Sequence, residues 1–299
     1  MSASANRTLF VVCGPTAVGK TEFAIQLAER LQTEIISADS RQIYKEIPIG
    51  TAHPTAEQLQ RVKHHFIGNL SINEDYNAGK FERDSLHLLD QLFLQFKSVV
   101  CCGGTGLYIK ALCYGLDEVP QANDAIRLEL AARLKSDGLE ALQKELQRLD
   151  PVHFSKMDVQ NPQRVIRALE VCLSTGKPFS SFHENSKTNR PFRIVKIGLE
   201  LPREQLNERI NKRVEMMLAN GWLEEARSVY PLRHLNALNT VGYKELFDHF
   251  SGEMNYEEAV EKIKTNTRRF AKRQMTWFRK DEEIQWFTEP AVEAVLGSV

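Results

Sequence analysis

Short apolar runs alternate with longer amphipathic stretches over the first 120 residues. Leu9-Phe10-Val11-Val12-Cys13 is apolar throughout, and Glu34-Ile35-Ile36-Ser37-Ala38 and Ser98-Val99-Val100-Cys101-Cys102 are nearly so. Each is short enough for a buried strand and too short for a helix. Residues from about Lys20 to Leu31 repeat instead at helical spacing. Strand, loop and helix in repetition predict a parallel sheet covered by helices. In such sheets ligands collect outside the carboxyl ends of the strands.

The pattern changes from about Pro120 to Arg190. Residues 124–149 carry helical periodicity, which Asp150-Pro151 breaks. Asn161-Pro162 then opens a helix with an N-cap and a proline at the first helical position, running to about Leu173 and stopping at Ser174-Thr175-Gly176. Residues 177–192 are rich in Lys, Ser, Asn and Pro and read as a loop. Strand character returns over 192–199, and helices follow at about 203–220, 222–229, 243–250 and 256–279. The chain thus divides into a catalytic core, 1–120 and 191–299, and an all-helical insertion, 121–190.

The loop after the first strand carries the chemistry. Gly14-Pro15-Thr16-Ala17-Val18-Gly19-Lys20-Thr21 has the spacing of a phosphate-binding P-loop, follows an apolar strand and opens a helix. The fold class is therefore α/β, a P-loop NTPase-like parallel sheet flanked by helices with a helical insertion. Glycines let backbone N–H groups converge on phosphate oxygens, and the helix N-terminus adds its positive dipole end. Lys20 supplies a mobile charge, and the Thr21 hydroxyl is placed to ligate Mg²⁺. A hydrolytic P-loop protein usually has an apolar strand ending in a metal-holding Asp, yet Ser98–Cys102 ends in Gly103-Gly104-Thr105-Gly106. Asp39 is the first carboxylate to reach the site. It reads as a general base or a water-mediated Mg²⁺ ligand, or else as the cap of a following turn. A transferase that treats the phosphates as leaving group fits this better than a motor or GTPase.

Two further features narrow the ligand. On the helix 203–220, Leu206, Ile210 and Met217 share a stripe into which Arg213 falls, with Arg209 at its edge. A buried arginine needs an anion, either a diphosphate or one of the chain's own carboxylates. Near the C-terminus, eight Lys/Arg and no acid lie between Lys262 and Lys280. A helical wheel places Ala259, Val260, Ile263, Phe270, Ala271, Trp277 and Phe278 on the packed face. Lys264, Arg268, Arg269, Lys272, Arg273, Arg279 and Lys280 fan over the other, an electrostatic footprint for nucleic acid.

Composition adds limits. Among the 299 residues, 39 basic and 39 acidic side chains cancel, so any nucleic-acid partner must be met by local clustering. No apolar run approaches the roughly 20 residues that span a bilayer, and no membrane partner is expected. Five cysteines, an odd number lying largely in apolar runs, suit reduced thiols in a cytoplasmic protein, expected to be a monomer.

Together these pieces resemble the bacterial tRNA dimethylallyltransferases, the isopentenyl-diphosphate transferase family, from about Thr8 to Arg279. The resemblance is carried by GPTAVGKT at 14–21, ADSRQIY at 38–44, GGTGLYIKAL at 103–112 and NPQRVIRALEV at 161–171. It continues through RINKRVEMMLANG at 209–221, TVGYKEL at 240–246 and RRFAKRQMTWFRK at 268–280. It implies transfer of a dimethylallyl group from dimethylallyl diphosphate to N6 of adenosine 37 in the tRNA anticodon stem-loop, with Mg²⁺. It also implies that Gly14, Pro15, Thr16, Ala17, Val18, Gly19, Lys20 and Thr21 bind the diphosphate. Asp39 would accept the proton, and Thr105 and Arg213 would hold the diphosphate. Asp39, Ser40, Arg41, Gln42, Thr105, Arg127, Gln163, Arg164, Val165, Ile166 and Arg167 would contact tRNA, as would residues 240–245, where Lys244 replaces the expected Arg. Three rivals stand beside this reading: a P-loop small-molecule or nucleotide kinase, an enzyme prenylating free adenine nucleotides, and a non-catalytic RNA-binding protein.

Overall fold

The computed structural model describes residues 7–117, 119–120, 123–183 and 188–298. The chain forms two compact units, one built from residues up to Tyr114 and from Asn189 onward, the other from Gly115–Thr188. In chain order the first unit begins with β1 (Thr8–Cys13), α1 (Lys20–Leu31), β2 (Ile35–Ser37), α2 (Ala56–Arg61) and β3 (His64–His65). It continues with α3 (Ala78–Leu92), β4 (Ser98–Cys102) and α4 (Gly106–Tyr114). The second unit holds α5 (Asp124–Ser136), α6 (Gly138–Leu149), α7 (Pro151–Phe154) and α8 (Pro162–Thr175). The first unit then resumes with β5 (Arg193–Glu200), α9 (Arg203–Ala219), α10 (Trp222–Val229) and α11 (Tyr243–Phe250). It ends with α12 (Tyr256–Phe278), β6 (Ile284–Thr288) and α13 (Val292–Ser298).

The six strands form one parallel sheet in the order β3-β2-β4-β1-β5-β6. Leu9 to Cys13 are all buried because helices cover both faces of the central strand, as expected of a continuous apolar run in a parallel sheet. On one face α1 packs Ala24, Leu27 and Ala28 against Phe10, Val12 and Val195. A second cluster joins Ile43, Tyr44, Val214, Trp222, Tyr243 and Ile263, and from it α9 to α12 rise beside the sheet's active edge.

All strands run the same way, so every loop that follows one emerges at the same edge. β4 lies between β1 and β2, which sets the Gly103–Gly106 loop between the P-loop and Asp39. Backbone bonds extend the ladder beyond the strands: Ala38 N donates to Cys102 O at 2.8 Å, Gly103 N to Val12 O at 3.1 Å and Thr105 N to Ala38 O at 3.2 Å.

The elements foreseen over the first strand, α1, β2, β4 and β5 recur within a residue or two. The stretch 124–149 is two helices parted at Asp137. α2, β3, β6 and α13 are too short to carry much periodic signal, whereas α3 was not foreseen although Asn77 caps it and Ala78, Phe81, Ser85, Leu89 and Leu92 form a buried helical stripe. In the second unit Asn161 caps α8 as expected, its Oδ1 accepting from Gln163 N at 3.1 Å and Arg164 N at 3.3 Å, with Gly176 left-handed at the other end. Leu130, Leu142, Leu146, Val165, Leu169 and Cys172 give this unit its own core.

Candidate active site

α1 begins without a side-chain cap. Gly19, at φ 105°, is the N-cap residue and no hydroxyl or carboxylate closes the first turn, so its N–H groups are turned to whatever anion sits there. Ala17 is held at φ 65°, an uncommon conformation for a residue with a Cβ. Lys20 folds back so that its Nζ donates to Pro15 O at 2.6 Å. Burial pushes the Lys20 ammonium down to about 8, with Arg213 adding repulsion, while Cys102, Asp39 and Cys13 act in the opposite direction. Thr21 stands half-buried in the first turn.

Asp39 leaves β2 two residues after its end and folds into a turn, its Oδ1 accepting from Arg41 N at 2.9 Å and Gln42 N at 3.4 Å. The capping and chemical readings of Asp39 therefore coexist, because one oxygen braces the turn and, among the described residues, no hydrogen bond occupies Oδ2. Thr105 Oγ1 accepts from Ser40 N at 2.9 Å, fixing the loop after β4 to the residue beside Asp39.

These residues open onto a cavity of about 500 Å³ lined by Thr16, Asp39, Ser40, Arg41, Thr105 and Arg213, with Ile210, Val214, Met217 and Trp222 as its apolar wall. Arg213 has no hydrogen-bond or ion-pair partner among the described residues. Burial lowers its pKa and only the field of Asp39 opposes that. The internal salt bridge weighed for it is not formed. Arg209, one turn earlier, instead pairs with Glu289. Two cations, Lys20 and Arg213, thus lie in each other's field with one nearby carboxylate. Such a balance is completed by an anion.

Several expectations change. In the Gly103–Gly106 loop Thr105 faces the cavity, but the glycines do not: a Cβ at Gly103 would meet Ala38 O, at Gly104 the Gln274 amide and at Gly106 the Trp277 ring. The glycines permit packing of protein on protein. Gln42 is outside the cavity wall, its Nε2 donating to Thr51 O at 3.3 Å and Ala52 O at 2.8 Å. Val165 and Ile166 are buried in the second unit's core, so their side chains cannot meet a macromolecule. Arg167 pairs with Glu170 at 3.3 Å and donates to Pro120 O at 2.9 Å. Gln163, Arg164 and Arg127 are exposed.

On α12 the wheel misplaced two aromatics. Phe270 and Trp277 are 39% and 41% exposed, and Gln274 is buried in their stead. Some of its cations also find acids from elsewhere in the fold. Lys264 pairs with Glu215 and Glu261, Lys262 with Asp248 and Arg279 with Glu200. Arg268 is half-buried, donating to Asn211 Oδ1 at 2.7 Å. Arg269, Lys272 and Arg273 keep no acidic partner among the described residues, and Arg273 and Phe270 line the cavity with Lys244. A polar residue in a cationic run was the one sign that could have drawn attention to Gln274.

Known proteins are similar to this chain. The model of the IPP transferase family matches residues 42–281. A tRNA dimethylallyltransferase of Parabacteroides distasonis is 51% identical over 97% of this chain and 97% of its own length. One from Christiangramia forsetii is 53% identical over 93% and 92%. The crystal structure of the tRNA isopentenylpyrophosphate transferase of Bacillus halodurans aligns over 98% of this chain and 94% of its own, with 36% identity and a TM-score of 0.70. A eukaryotic dimethylallyltransferase, solved acting on tRNA, aligns over 96% of this chain and 75% of its own, with 26% identity and a TM-score of 0.79.

Proposed function

The chain belongs to the IPP transferase family, and from that premise we propose that it transfers the dimethylallyl group of dimethylallyl diphosphate to N6 of adenosine 37 in tRNA, releasing diphosphate. The observation that carries the assignment to residues is the unpartnered Arg213 sharing one cavity with Asp39 and the P-loop residue Thr16. The relatives give no support to the kinase alternative.

An adenine amine is a poor nucleophile, so the reaction needs both a base and a good leaving group. The diphosphate rests on the Gly14–Thr21 loop and the N-terminus of α1. Lys20 exchanges its Pro15 carbonyl for the anion, and Arg213 meets it from α9. As the C1–O bond breaks, its electron pair stays on the diphosphate, whose growing charge these two cations stabilise. The allyl group tolerates the cationic character left on carbon. N6 forms the new C–N bond, and its proton passes to Asp39, whose Oδ2 is open while Oδ1 braces the turn. Thr105, bonded to Ser40, keeps that turn in place.

Among the described residues no group of three or more His, Cys, Asp or Glu side chains could hold a metal. The Thr21 hydroxyl and the Asp39 carboxylate are hard oxygen donors of the kind Mg²⁺ takes, since it binds through one or two protein oxygens, waters and the substrate's phosphates. The Thr21 hydroxyl would hold it directly and Asp39 through water. When bound it supplies charge neutralisation on the diphosphate.

The target base must leave its stack to reach the cavity. Ser40, Arg41, Lys244 and Arg273 offer polar contacts at the cavity and Phe270 an aromatic face, the usual means of holding a splayed RNA base. Gln163, Arg164 and Arg127 of the helical unit contact tRNA from their exposed faces. The tRNA substrate sets the work in the cytoplasm. No helix of the described residues is long and apolar enough to cross a membrane.

The test is direct. With labelled dimethylallyl diphosphate and Mg²⁺, label should enter tRNA and not AMP. Label in AMP alone, or phosphate transfer from ATP, overturns the assignment.

A further inference from the structure

We propose that Gln274 is a positioning residue of the donor site, fixing the P-loop and the Thr105 loop to each other from near the C-terminal end of α12. The proposal rests on reading the cavity as the seat of an organic diphosphate.

Gln274 follows Lys272 and Arg273 in a cationic run, yet it is only 7% exposed. A buried amide is tolerated when both its ends are bonded, and here both are. Oε1 accepts from Thr16 N at 2.9 Å and Nε2 donates to Gly104 O at 2.9 Å. One side chain therefore spans the loop after β1 and the loop after β4. Thr16 is followed by Ala17 at φ 65°, and such a conformation persists only where its surroundings hold it. The bond to Thr16 N supplies that hold. At the other end, Gly104 precedes Thr105, whose hydroxyl accepts from Ser40 N at 2.9 Å beside Asp39. A continuous chain of bonds thus runs from the leaving-group cradle through Gln274 to the base.

The amide's neutrality matters as much as its reach. A Cβ built on Gly104 would collide with Gln274 Nε2 and stand 3.8 Å from Lys20 Nζ. A carboxylate here would pair with Lys20 and compete with the diphosphate. The charged and titratable groups acting on Lys20 are Arg213, Asp39, Cys13 and Cys102, so Asp39 is the one carboxylate among them. An amide secures the loops without adding a second.

Binding of inorganic pyrophosphate by calorimetry, tRNA affinity, and turnover with dimethylallyl diphosphate test this in Gln274→Met and Gln274→Glu. Gln274→Met keeps the volume and loses both bonds. It should keep wild-type tRNA affinity while kcat falls at least tenfold and pyrophosphate binds at least tenfold more weakly. Gln274→Glu should bind pyrophosphate more weakly still at neutral pH. Relative to wild type at each pH, it should recover as the pH falls and the carboxyl becomes a neutral donor to Gly104. A merely structural role predicts no such profile. Wild-type pyrophosphate affinity and kcat in Gln274→Met, or a flat ratio across pH in Gln274→Glu, would overturn the proposal. Failure of the wild-type protein to prenylate tRNA would instead overturn the functional assignment, since pyrophosphate binding is read separately.

Discussion

Lys20 and Arg213 each sit where burial disfavours their charge, and their fields oppose one another. The consequence for Lys20 has a definite sign. Its pKa in the folded protein lies at about 8, below the ordinary 10.5, and a bound diphosphate favours the charged form and raises it again. Above pH 8 binding must therefore take up a proton, and affinity should fall as pH rises from about 8 toward 10.5. Calorimetry of pyrophosphate binding at pH 8.5, in buffers of different ionisation enthalpy, should show that uptake, and Lys20→Met should abolish it. Asp39→Asn keeps an oxygen for the Arg41 and Gln42 amides but cannot take a proton at neutral pH. It should lower kcat by about 10²–10⁴-fold with both substrates still bound, and loss of tRNA binding alone would make Asp39 a recognition residue. The candidacy of 14–21, Asp39 and Arg213 was legible because each rests on a local signal, a glycine spacing, a strand end or a helical stripe. That Arg213 has no partner was not, because nothing in the sequence says which carboxylates approach it.

At the scale of elements, α12 combines two faces that its own periodicity mixes up. Ala259, Ile263, Ala271, Gln274 and Phe278 are buried, and Phe270 is turned to the cavity. A helical wheel sorts side chains by hydrophobicity alone, so it placed two aromatics inside and the amide out. Charge was equally deceptive, because the acids that neutralise Lys262, Lys264 and Arg279 arrive from α9, α11 and β5. RNA affinity should accordingly depend on the unpaired cations. Lys272→Gln should weaken tRNA binding and reduce the slope of log affinity against log salt by about 1, whereas Lys262→Gln should leave both nearly unchanged. Gly103 shows the same dependence on neighbours. Gly103→Ala sets a Cβ against the Ala38 carbonyl and should cost about 1–3 kcal/mol, read as a lower midpoint in urea unfolding.

The whole molecule comprises a unit with the cavity and a helical unit with its own core. If the helical unit serves only the acceptor, Gln163→Ala combined with Arg164→Ala should weaken tRNA binding several-fold and leave pyrophosphate affinity unchanged. A parallel loss of pyrophosphate binding would refute that separation. The break in pattern near residue 120 marked the insertion because its helices lack the short apolar strands of the core. Val165 and Ile166 fell within a matching motif, but their burial shows that two of its five positions, 163–167, serve packing.

The sequence by itself determined the α/β class, the P-loop, the strand that delivers Asp39 and the capped helix at Asn161. Each follows from the identity and spacing of adjacent residues, which fix backbone conformation locally. Only the tertiary structure decided that β4 lies between β1 and β2, that Arg213 goes unpaired and that Gln274 ties two loops together. Those outcomes depend on groups far apart in the chain, Gln274 lying 258 residues from Thr16, and no local pattern encodes which distant atoms will meet.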